Sequence, residues 1–540
     1  MSHTTTEFMG TPDELFHWIP GEMVIVVRLA QAPRDDSLDV LVEQIRVLLN
    51  AFLASYNLAV EHYGTHGRWN DSPMMPSIQR HAFVFGLHRK QPLIAIFFHT
   101  RRTDSATRDP VPTALSYVQS HLDELSKLGL HIVSAMPNWL VTAAPVFYGD
   151  GGLALPPCPA PSLDVATADN ALVGWQVTLL DQRIQLDSKG AEDVLVAVLD
   201  TAHHPDRIRS AATRSELQRN WLLQRLVSDL SNEDGSFVVE YDRYALTNDI
   251  RTGRDLHGDP RYYFMPDHGV SVSGLIRDVA RQARIRLIRV LNDFGGGDLY
   301  SLFAALTDLE RELASGTLRH LVINLSLTML PDMRHLPYVW FDQRQWPNTQ
   351  IAGVMHVLNH IEEGLRLLFD SLAAQGALIV AAAGNNSTGA RTPLSPRAPA
   401  RYDTTLSVTS VNSNFEPAKF ANAANVAPFT TGVATFGGDA YGAKDTNGLP
   451  DAVRGIYISP TFPGGEQNTS GWADLCGSSF ATAIISALGA HLLAQGLSVP
   501  DAIARLAALE RRGEALFGAP VDVPALLANV IRVQQRFRPL

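Results

Sequence analysis

Residues 194–201 read VLVAVLDT, a run of six apolar residues that ends on a carboxylate at Asp200. An aliphatic run without polar alternation is typical of a strand that is buried on both faces. A second run, ALIVAAA at residues 377–383, has the same character and is followed by Gly384 and Asn385. Such strands, separated by helical patterns, predict a parallel sheet with helices on both faces, whose functional site lies beyond the carboxyl ends of the strands. Asp200 and Asn385 are therefore expected at the same edge of this sheet.

Two further segments place a histidine and a serine at the starts of helices. The sequence DHGVSVSGL at residues 267–275 opens a helical run with His268, and GSSFATAIIS at residues 477–486 leads into an apolar helix with Ser479 in its first turn. Unpaired N–H groups and the helix dipole favour negative charge there, which suits a nucleophile that must stabilise an oxyanion. Taken alone, such a serine is most simply a helix cap. Together with the aspartate, histidine and asparagine upstream, however, Ser479 is interpreted as a candidate nucleophile.

These four segments resemble, in this order, the motifs of the subtilisin-like serine proteases, the subtilases. The order aspartate, histidine, serine is that of subtilisin and differs from the orders in chymotrypsin and the α/β-hydrolases. The resemblance covers about residues 173–495 and includes LVINLSL at residues 321–327, which is similar to the family's substrate-lining strand. The residues that it assigns to catalysis are Asp200, His268, Ser479 and Asn385, and those that it assigns to substrate binding are Ser326, Leu327 and Gly384.

Four positions depart from the family pattern. Ala202 and Thr328 stand in place of glycines, Ser271 in place of a second histidine, and Ala483 in place of a proline. None of these changes removes a catalytic group. Together they indicate a divergent member of the family, with Thr328 narrowing the groove beside the substrate backbone.

The chain of 540 residues is long enough for more than one domain. Residues 149–172 include DGG and LPPCPAP, a composition typical of a linker, between an N-terminal domain at 1–148 and a catalytic domain at 173–540. The N-terminal domain shows the α+β order of a ferredoxin-like fold. Its strands are predicted at 23–29, 82–87, 93–98 and 130–134, and its helices at 38–56 and 113–128. Closing helices are predicted within 498–537.

The role of residues 1–148 has two interpretations. Many subtilases carry a propeptide of similar topology that assists folding and plugs the groove with its C-terminal tail, so the resemblance implies this role. The topology fits a generic accessory or recognition domain equally well, because no motif is shared. Inhibition of active protease by the N-terminal fragment would distinguish the two.

Composition and charge restrict the partners. Residues 1–22 lack the basic and apolar regions of a secretory signal. The chain has two cysteines, Cys158 and Cys476, which argues against a disulfide framework. These features predict a cytoplasmic protein. The formal net charge of −11 argues against nucleic acid and anionic membranes as partners.

No His/Cys cluster has metal-ligand spacing, so no cofactor is expected to be required. Structural calcium occurs in many subtilases, but the resemblance assigns no ligand for it here. Cys476, three residues before Ser479, is interpreted as a small buried residue and not as a second nucleophile.

The sequence thus predicts a regulated serine endopeptidase that acts on protein or peptide substrates, with specific intracellular partners and a regulatory partner among them. Two alternatives stay open. One is a catalytically silent scaffold that binds peptides in its groove, and the other is an enzyme that transfers or trims peptides during the maturation of a small peptide. Covalent labelling of Ser479 distinguishes enzyme from scaffold, and product masses distinguish hydrolysis from transfer.

Overall fold

The structure is a computed structural model. It describes residues 18–34, 37–63, 81–106, 109–143, 156–160, 175–179, 182–183, 191–232, 235–242, 265–329, 362–388, 393–424, 432–439, 443–444, 448, 450–507 and 529–535. Within these ranges, every helix is too short or too polar to cross a membrane.

The N-terminal part is an antiparallel sheet with helices packed on it. Its strands are β1 (Trp18–Arg28), β2 (Leu58–His62), β3 (Ala82–Phe85), β4 (Leu93–Arg102) and β5 (Ile132–Ala143), and its helices are α1 (Leu38–Leu53), α2 (Pro110–Ser120) and α3 (Leu122–Lys127). The sheet has the order β5-β1-β4, and β2 and β3 lie one after the other along the remaining edge of β4. This is the ferredoxin-like α+β order expected from the sequence, with β2 as a strand that the sequence analysis did not predict.

Strand β5 continues well beyond the predicted segment 130–134. Pro137 and Asn138 interrupt the apolar pattern, and Pro137 has no N–H to donate to a sheet. The strand nevertheless extends to Ala143 because its last residues, Leu140–Ala143, pair with strands from the C-terminal part of the chain. The local sequence did not predict this extension, because it depends on pairing with strands that are distant in sequence.

The C-terminal part contains a central sheet, a small antiparallel sheet and the helices that cover them. Its strands are β6 (Cys158–Pro159), β7 (Trp175–Leu179), β8 (Gln182–Arg183), β9 (Val194–Asp200), β10 (Phe237–Glu240), β11 (Arg284–Arg289), β12 (Gly296–Asp298), β13 (His320–Leu325), β14 (Leu327–Met329), β15 (Ala377–Ala382), β16 (Thr405–Val411), β17 (Val433–Phe436), β18 (Val453–Ile456), β19 (Trp472–Leu475) and β20 (Asn529–Gln535). Its helices are α4 (Pro205–Thr213), α5 (Trp221–Ser231), α6 (His268–Val279), α7 (Leu299–Ala314), α8 (Glu363–Ala374), α9 (Ser478–Ala494) and α10 (Val499–Ala507).

The central sheet has the order β10-β11-β9-β13-β15-β16-β17-β20-β7-β8. Neighbouring strands are parallel from β10 through β20, and β7 and β8 add an antiparallel edge. Alternate residues face two layers: Val196 and Val198 pack with α6 and α9, whereas Leu195 and Ala197 pack with α7 and α8. Side chains of successive strand residues point to opposite faces, so a strand covered on both sides must be apolar throughout. The parallel sheet predicted from the continuous apolar runs is confirmed.

The N-terminal sheet packs on α7 and α8, so that it shares one hydrophobic core with that face of the central sheet. Tyr63 stacks on Tyr300 of α7 with ring centroids 4.9 Å apart. Gly364 lets α8 approach closely, since a Cβ there would lie 2.7 Å from Met136 and 2.8 Å from Val26. The two parts of the chain are therefore joined by close packing as well as by covalent connection.

The small sheet has the order β18-β19-β6 and is antiparallel. Strand β6 lies within the segment 149–172, where the sequence predicted a linker. Ala160 donates its N–H to Trp472 at 3.2 Å and accepts the Ser470 hydroxyl at 2.7 Å. These contacts attach residues 156–160 to the strand that leads to Ser479.

Closing helices were predicted within residues 498–537. This is correct for α10 and wrong for β20, and residues 508–528 and 536–537 lie outside the described residues. Strand β20 pairs with β17 on one side and β7 on the other. Its sequence, NVIRVQQ, is rich in β-branched residues and has a polar residue between Ile531 and Val533, which favours a strand.

Candidate active site

Asp200 and His268 meet at the carboxyl end of β9. His268 Nδ1 lies 2.8 Å from Asp200 Oδ1, and the same oxygen accepts the N–H of Thr201 at 2.6 Å. Asp200 is fully buried, whereas 9% of the His268 side chain is exposed. A carboxylate in this position orients the ring and holds a proton on Nδ1, so that Nε2 is the nitrogen that can exchange a proton with a substrate or a nucleophile.

The start of α6 approaches β9 closely because residue 269 is glycine. A Cβ at Gly269 would overlap the carbonyl oxygen of Thr201. The Thr201 hydroxyl accepts the N–H of Gly269 at 3.0 Å and donates to the carbonyl of Pro266 at 3.2 Å. These contacts hold His268 against Asp200.

Ser479 lies in the first turn of α9 and is 2% exposed. Its hydroxyl donates to the backbone carbonyl of Ser326 at 3.3 Å, and in the described part of the chain no hydrogen bond joins it to His268. The Phe480 ring packs on the His268 ring with centroids 5.6 Å apart. Catalytic hydrogen bonds are often long or misaligned in free enzymes and tighten when substrate binds.

Asn385 follows β15 and is 3% exposed. Its Oδ1 accepts the N–H of Ser478 at 3.0 Å, which assigns Nδ2 as its donor atom and places the amide beside the start of α9. Gly384, before it, has φ +110°, and a Cβ there would lie 2.7 Å from the Asn422 amide nitrogen. The turn that presents Asn385 therefore requires glycine at 384.

Asn422 organises this turn and was not named as a site residue from the sequence. Its Oδ1 accepts the N–H of Asn386 and the hydroxyl of Ser387, both at 2.9 Å, and its Nδ2 donates to Ala383 at 3.2 Å. Its own N–H donates to the carbonyl of Gly384 at 3.0 Å. An asparagine in an irregular loop carries no sequence signal for such a role, because its partners come from another segment.

Ser326, which the resemblance assigns to substrate binding, contacts α9. Its Oγ lies 2.9 Å from the carbonyl oxygen of Ser479 and 3.0 Å from Asn324 Oδ1. Asn324 Nδ2 in turn donates to the Ser486 hydroxyl at 3.0 Å. All four residues are buried, so this network fixes β13 and β14 relative to α9.

The end of β5 lies beside the same residues. Its residues 140–142 pair antiparallel with β12, and residues 141–143 pair antiparallel with β14. Ala143 stands opposite Leu327, which is next to Ser326 in the chain. The gap between β12 and β14 is thus filled by a strand from the N-terminal part. Leu327 thus pairs with the backbone of Ala143 from this same chain, and the substrate-binding roles of Ser326, Leu327 and Gly384 stay predictions.

The remaining departures from the family pattern are accommodated locally. Ala202 is buried, and residues with positive φ in the described ranges do not include it, so the loss of a glycine there causes no strain. Thr328 is buried opposite Thr142 of β5.

Burial, and then the charge of Asp451, raise the pKa of the Cys476 thiol well above its ordinary value. The thiolate is the reactive form, and the raised pKa disfavours it. Cys476 is partly buried, not fully buried as the sequence predicted, and packs against Ala418, Phe420 and Ala421.

Metal binding finds no support in the residues that the structure describes. No group of three or more His, Cys, Asp or Glu side chains among them is arranged to hold a metal ion. Structural calcium stays a prediction of the resemblance, without assigned ligands.

The chain was compared with models of protein families, with curated protein sequences and with solved structures. The model of the subtilase family, Peptidase_S8, matches residues 191–502, more than half of the chain. No curated protein sequence matches the chain. One solved structure similar to it is described as "Crystal Structure of a Lanthipeptide Protease", with 17% identity over 64% of this chain and 86% of that chain and a TM-score of 0.38. The family match covers β9, α6, β15 and the start of α9, and the chain belongs to the subtilase family of serine peptidases.

Proposed function

We propose that this subtilase is a serine endopeptidase that uses Ser479 as its nucleophile. The observation that carries the proposal is the buried hydrogen bond between Asp200 and His268, at the edge of the sheet where Ser479 lies in the first turn of α9. His268 Nε2 takes the proton of the Ser479 hydroxyl as it attacks a peptide carbonyl, and later returns it to the leaving amine. Asp200 holds the ring in position and stabilises the imidazolium.

Two donors serve the oxyanion of the tetrahedral intermediate. One is the N–H of Ser479, which belongs to the first turn of α9, where helical carbonyl partners are lacking. The other is the Asn385 side-chain amide, whose orientation is set by the hydrogen bond from Ser478. Donors fixed before the reaction stabilise developing charge without reorganisation, which lowers the barrier.

The proposal is tested by covalent labelling with a fluorophosphonate, located by peptide mass. We expect phosphonylation of Ser479 in the parent chain or after the groove is opened, and none in Ser479→Ala. Ser478→Ala is the matched control, because Ser478 is buried next to it and contributes only its backbone N–H to Asn385. Peptide hydrolysis that survives Ser479→Ala contradicts the assignment.

One observation favours the alternative of a silent peptide-binding scaffold. The Ser479 hydroxyl donates to Ser326 in this structure and not to His268. A scaffold would bind peptides between β12 and β14 and would resist phosphonylation in every state, including after the end of β5 is displaced. Peptide binding without labelling would therefore favour the scaffold over the enzyme.

We infer further that residues 1–148 restrain this site. The support is the position of Leu140–Ala143, which lie as a strand between β12 and β14. Ala143 is paired with Leu327, and the preceding residue, Ser326, is hydrogen-bonded to Ser479. A substrate peptide bound as a strand would need the same backbone partners. A purely accessory domain gives no reason for its last strand to lie there.

A further inference from the structure

A second aspartate–histidine pair lies next to the first. His203 Nε2 is 3.4 Å from Asp267 Oδ1, and both side chains are almost completely buried. The two pairs are crossed: the last residue of β9, Asp200, pairs with His268, and His203, three residues later, pairs with Asp267. The catalytic assignment uses only the first of them.

Asp267 binds a third segment of the chain. Its Oδ1 accepts the N–H of Ile458 at 2.7 Å and the N–H of Ser459 at 3.1 Å. One turn further along α6, the Ser271 hydroxyl lies 2.6 Å from the carbonyl oxygen of Ile456 and 2.9 Å from that of Asp267. The first turn of α6, which begins with His268, is thus fastened to residues 456–459.

Residues 456–459 are connected to the nucleophile. Ile456 ends β18 and pairs with Trp472, the first residue of β19. Strand β19 runs through Leu475 towards Ser479 at the start of α9. Asp267 therefore joins the helix that carries His268 to the β18–β19 hairpin, which leads into α9 and Ser479.

The chemistry of Asp267 suits a structural anchor of this kind. Burial by itself would raise the pKa of Asp267, but the His203 imidazole and the backbone N–H groups outweigh burial and lower the pKa below its ordinary value. The carboxylate is thus ionised at neutral pH and accepts strong hydrogen bonds. Removing it would leave the buried N–H groups of Ile458 and Ser459 without their acceptor and would take away the carboxylate that lies 3.4 Å from His203. The surrounding backbone would have to move to relieve this.

We propose that Asp267, supported by His203, is a positioning residue that sets His268 relative to Ser479. The inference rests on the proposed function for its kinetic consequence. It predicts that loss of the Asp267 acceptor misplaces the imidazole and lowers kcat, and that KM stays near the parent value because β12 and β14 are not involved. A misplacement of about 1 Å in a catalytic group costs on the order of 10²-fold in rate.

The test compares three variants in the full chain. Asp267→Ala removes the acceptor and is expected to lower kcat by about 10²-fold. Asp267→Asn keeps an oxygen for the N–H groups of Ile458 and Ser459 and is expected to restore most of this loss. Asp229→Asn is the matched control. Asp229 of α5 is as buried as Asp267, and it pairs at 2.9 Å with Arg277 of α6, the helix that carries His268. This variant is expected to lower the thermal midpoint and leave kcat unchanged.

A second readout does not depend on catalysis. A proton shared between His268 Nδ1 and Asp200 gives a low-field proton resonance, which we expect in the parent and in Asp229→Asn and expect to shift or vanish in Asp267→Ala. If Asp267→Ala does not fold, His203→Leu is the milder variant, and we expect the same changes in smaller degree. Folded variants with the parent's kcat and resonance would overturn the proposal, as would an equal loss of kcat in Asp229→Asn. A parent that shows the resonance but neither cleaves nor labels would instead contradict the proposed function.

Discussion

The side-chain amide of Asn385 is oriented by a backbone N–H group from another segment of the chain. The N–H of Ser478 occupies its Oδ1, and Gly384 allows the left-handed turn that brings the amide to the start of α9. An amide that is held in this way can donate to an oxyanion without first losing conformational freedom. Its contribution should therefore appear in the transition state and not in the binding of substrate.

We expect Asn385→Ala to lower kcat by about 10²–10³-fold, the usual effect of losing one oxyanion donor, with KM close to the parent value. Steady-state kinetics on a peptide substrate measure both constants. Asn386→Ala is the neighbouring control and should retain kcat. An Asn385→Ala enzyme with parental kcat and raised KM would show that Asn385 binds substrate only.

At the residue scale, the sequence identified side chains that end or begin apolar runs. Asp200, His268 and Ser479 lie at such boundaries, and their roles as a triad stay a prediction until they are tested. Asn422 and Asp267 were not identified as functional, because their importance comes from hydrogen bonds to segments that are distant in sequence. Local patterns do not encode such partners.

Helix α7 holds the N-terminal part through a buried carboxyl group. Glu310 Oε1 accepts the N–H of Gly86 and the Gln375 side-chain amide, both at 2.8 Å, and also the Ser371 hydroxyl. Gly86 lies in the turn between β3 and β4, so this contact joins the N-terminal sheet to α7 and α8. Burial raises the pKa of Glu310 in spite of these hydrogen bonds.

The raised pKa makes this docking contact sensitive to pH. The docked carboxyl binds its proton more tightly than an exposed one with the ordinary pKa of 4.5, so its contribution is complete below pH 4.5 and is lost as pH rises through the raised pKa. Glu310→Gln keeps an oxygen acceptor and cannot ionise. We expect its thermal midpoint to depend less on pH above 4.5 than that of the parent. Glu312→Gln, in the same helix but paired with Arg286, is the control. Parallel pH curves for Glu310→Gln and the parent would contradict this role.

At the element scale, strands of the central sheet were predictable because burial on both faces requires continuous apolar runs. The final residues of β5 were not predictable in this way, and β20 was wrongly predicted as helix although its β-branched residues favour a strand. Pro137 and Asn138 break the local pattern of β5, and its continuation depends on β12 and β14. Strand β20 pairs with β17 and β7, which both lie far from it in sequence.

Across the whole molecule, β5 belongs to two sheets at once. Its first residues pair with β1 in the N-terminal sheet, and its last residues pair with β12 and β14 beside Ser479. The restraint proposed above therefore depends on a few residues at the end of one strand. Thr142 is among them, buried and opposite Thr328.

We expect Thr142→Lys to speed the fluorophosphonate labelling of Ser479, because a lysine cannot be buried there without a partner and will displace the end of β5. The rate of labelling in the full chain measures the effect. Val133→Lys is the control, since Val133 lies in the part of β5 that pairs with β1. Equal labelling rates in the parent, Thr142→Lys and Val133→Lys would remove the support for restraint by this strand.

Because the end of β5 is part of the same chain as the groove, it is present at the groove at a high effective concentration. A tethered ligand rebinds as an intramolecular event, with an effective concentration that reaches the millimolar range for short flexible connections, so a free peptide must approach such levels to compete. In the intact chain, the fraction of molecules whose groove is occupied by the end of β5 therefore does not depend on the protein concentration. Once the connection after Ala143 is cut, the same contacts become a bimolecular complex held by the packing on α7 and α8, and protease activity would rise as the protein is diluted.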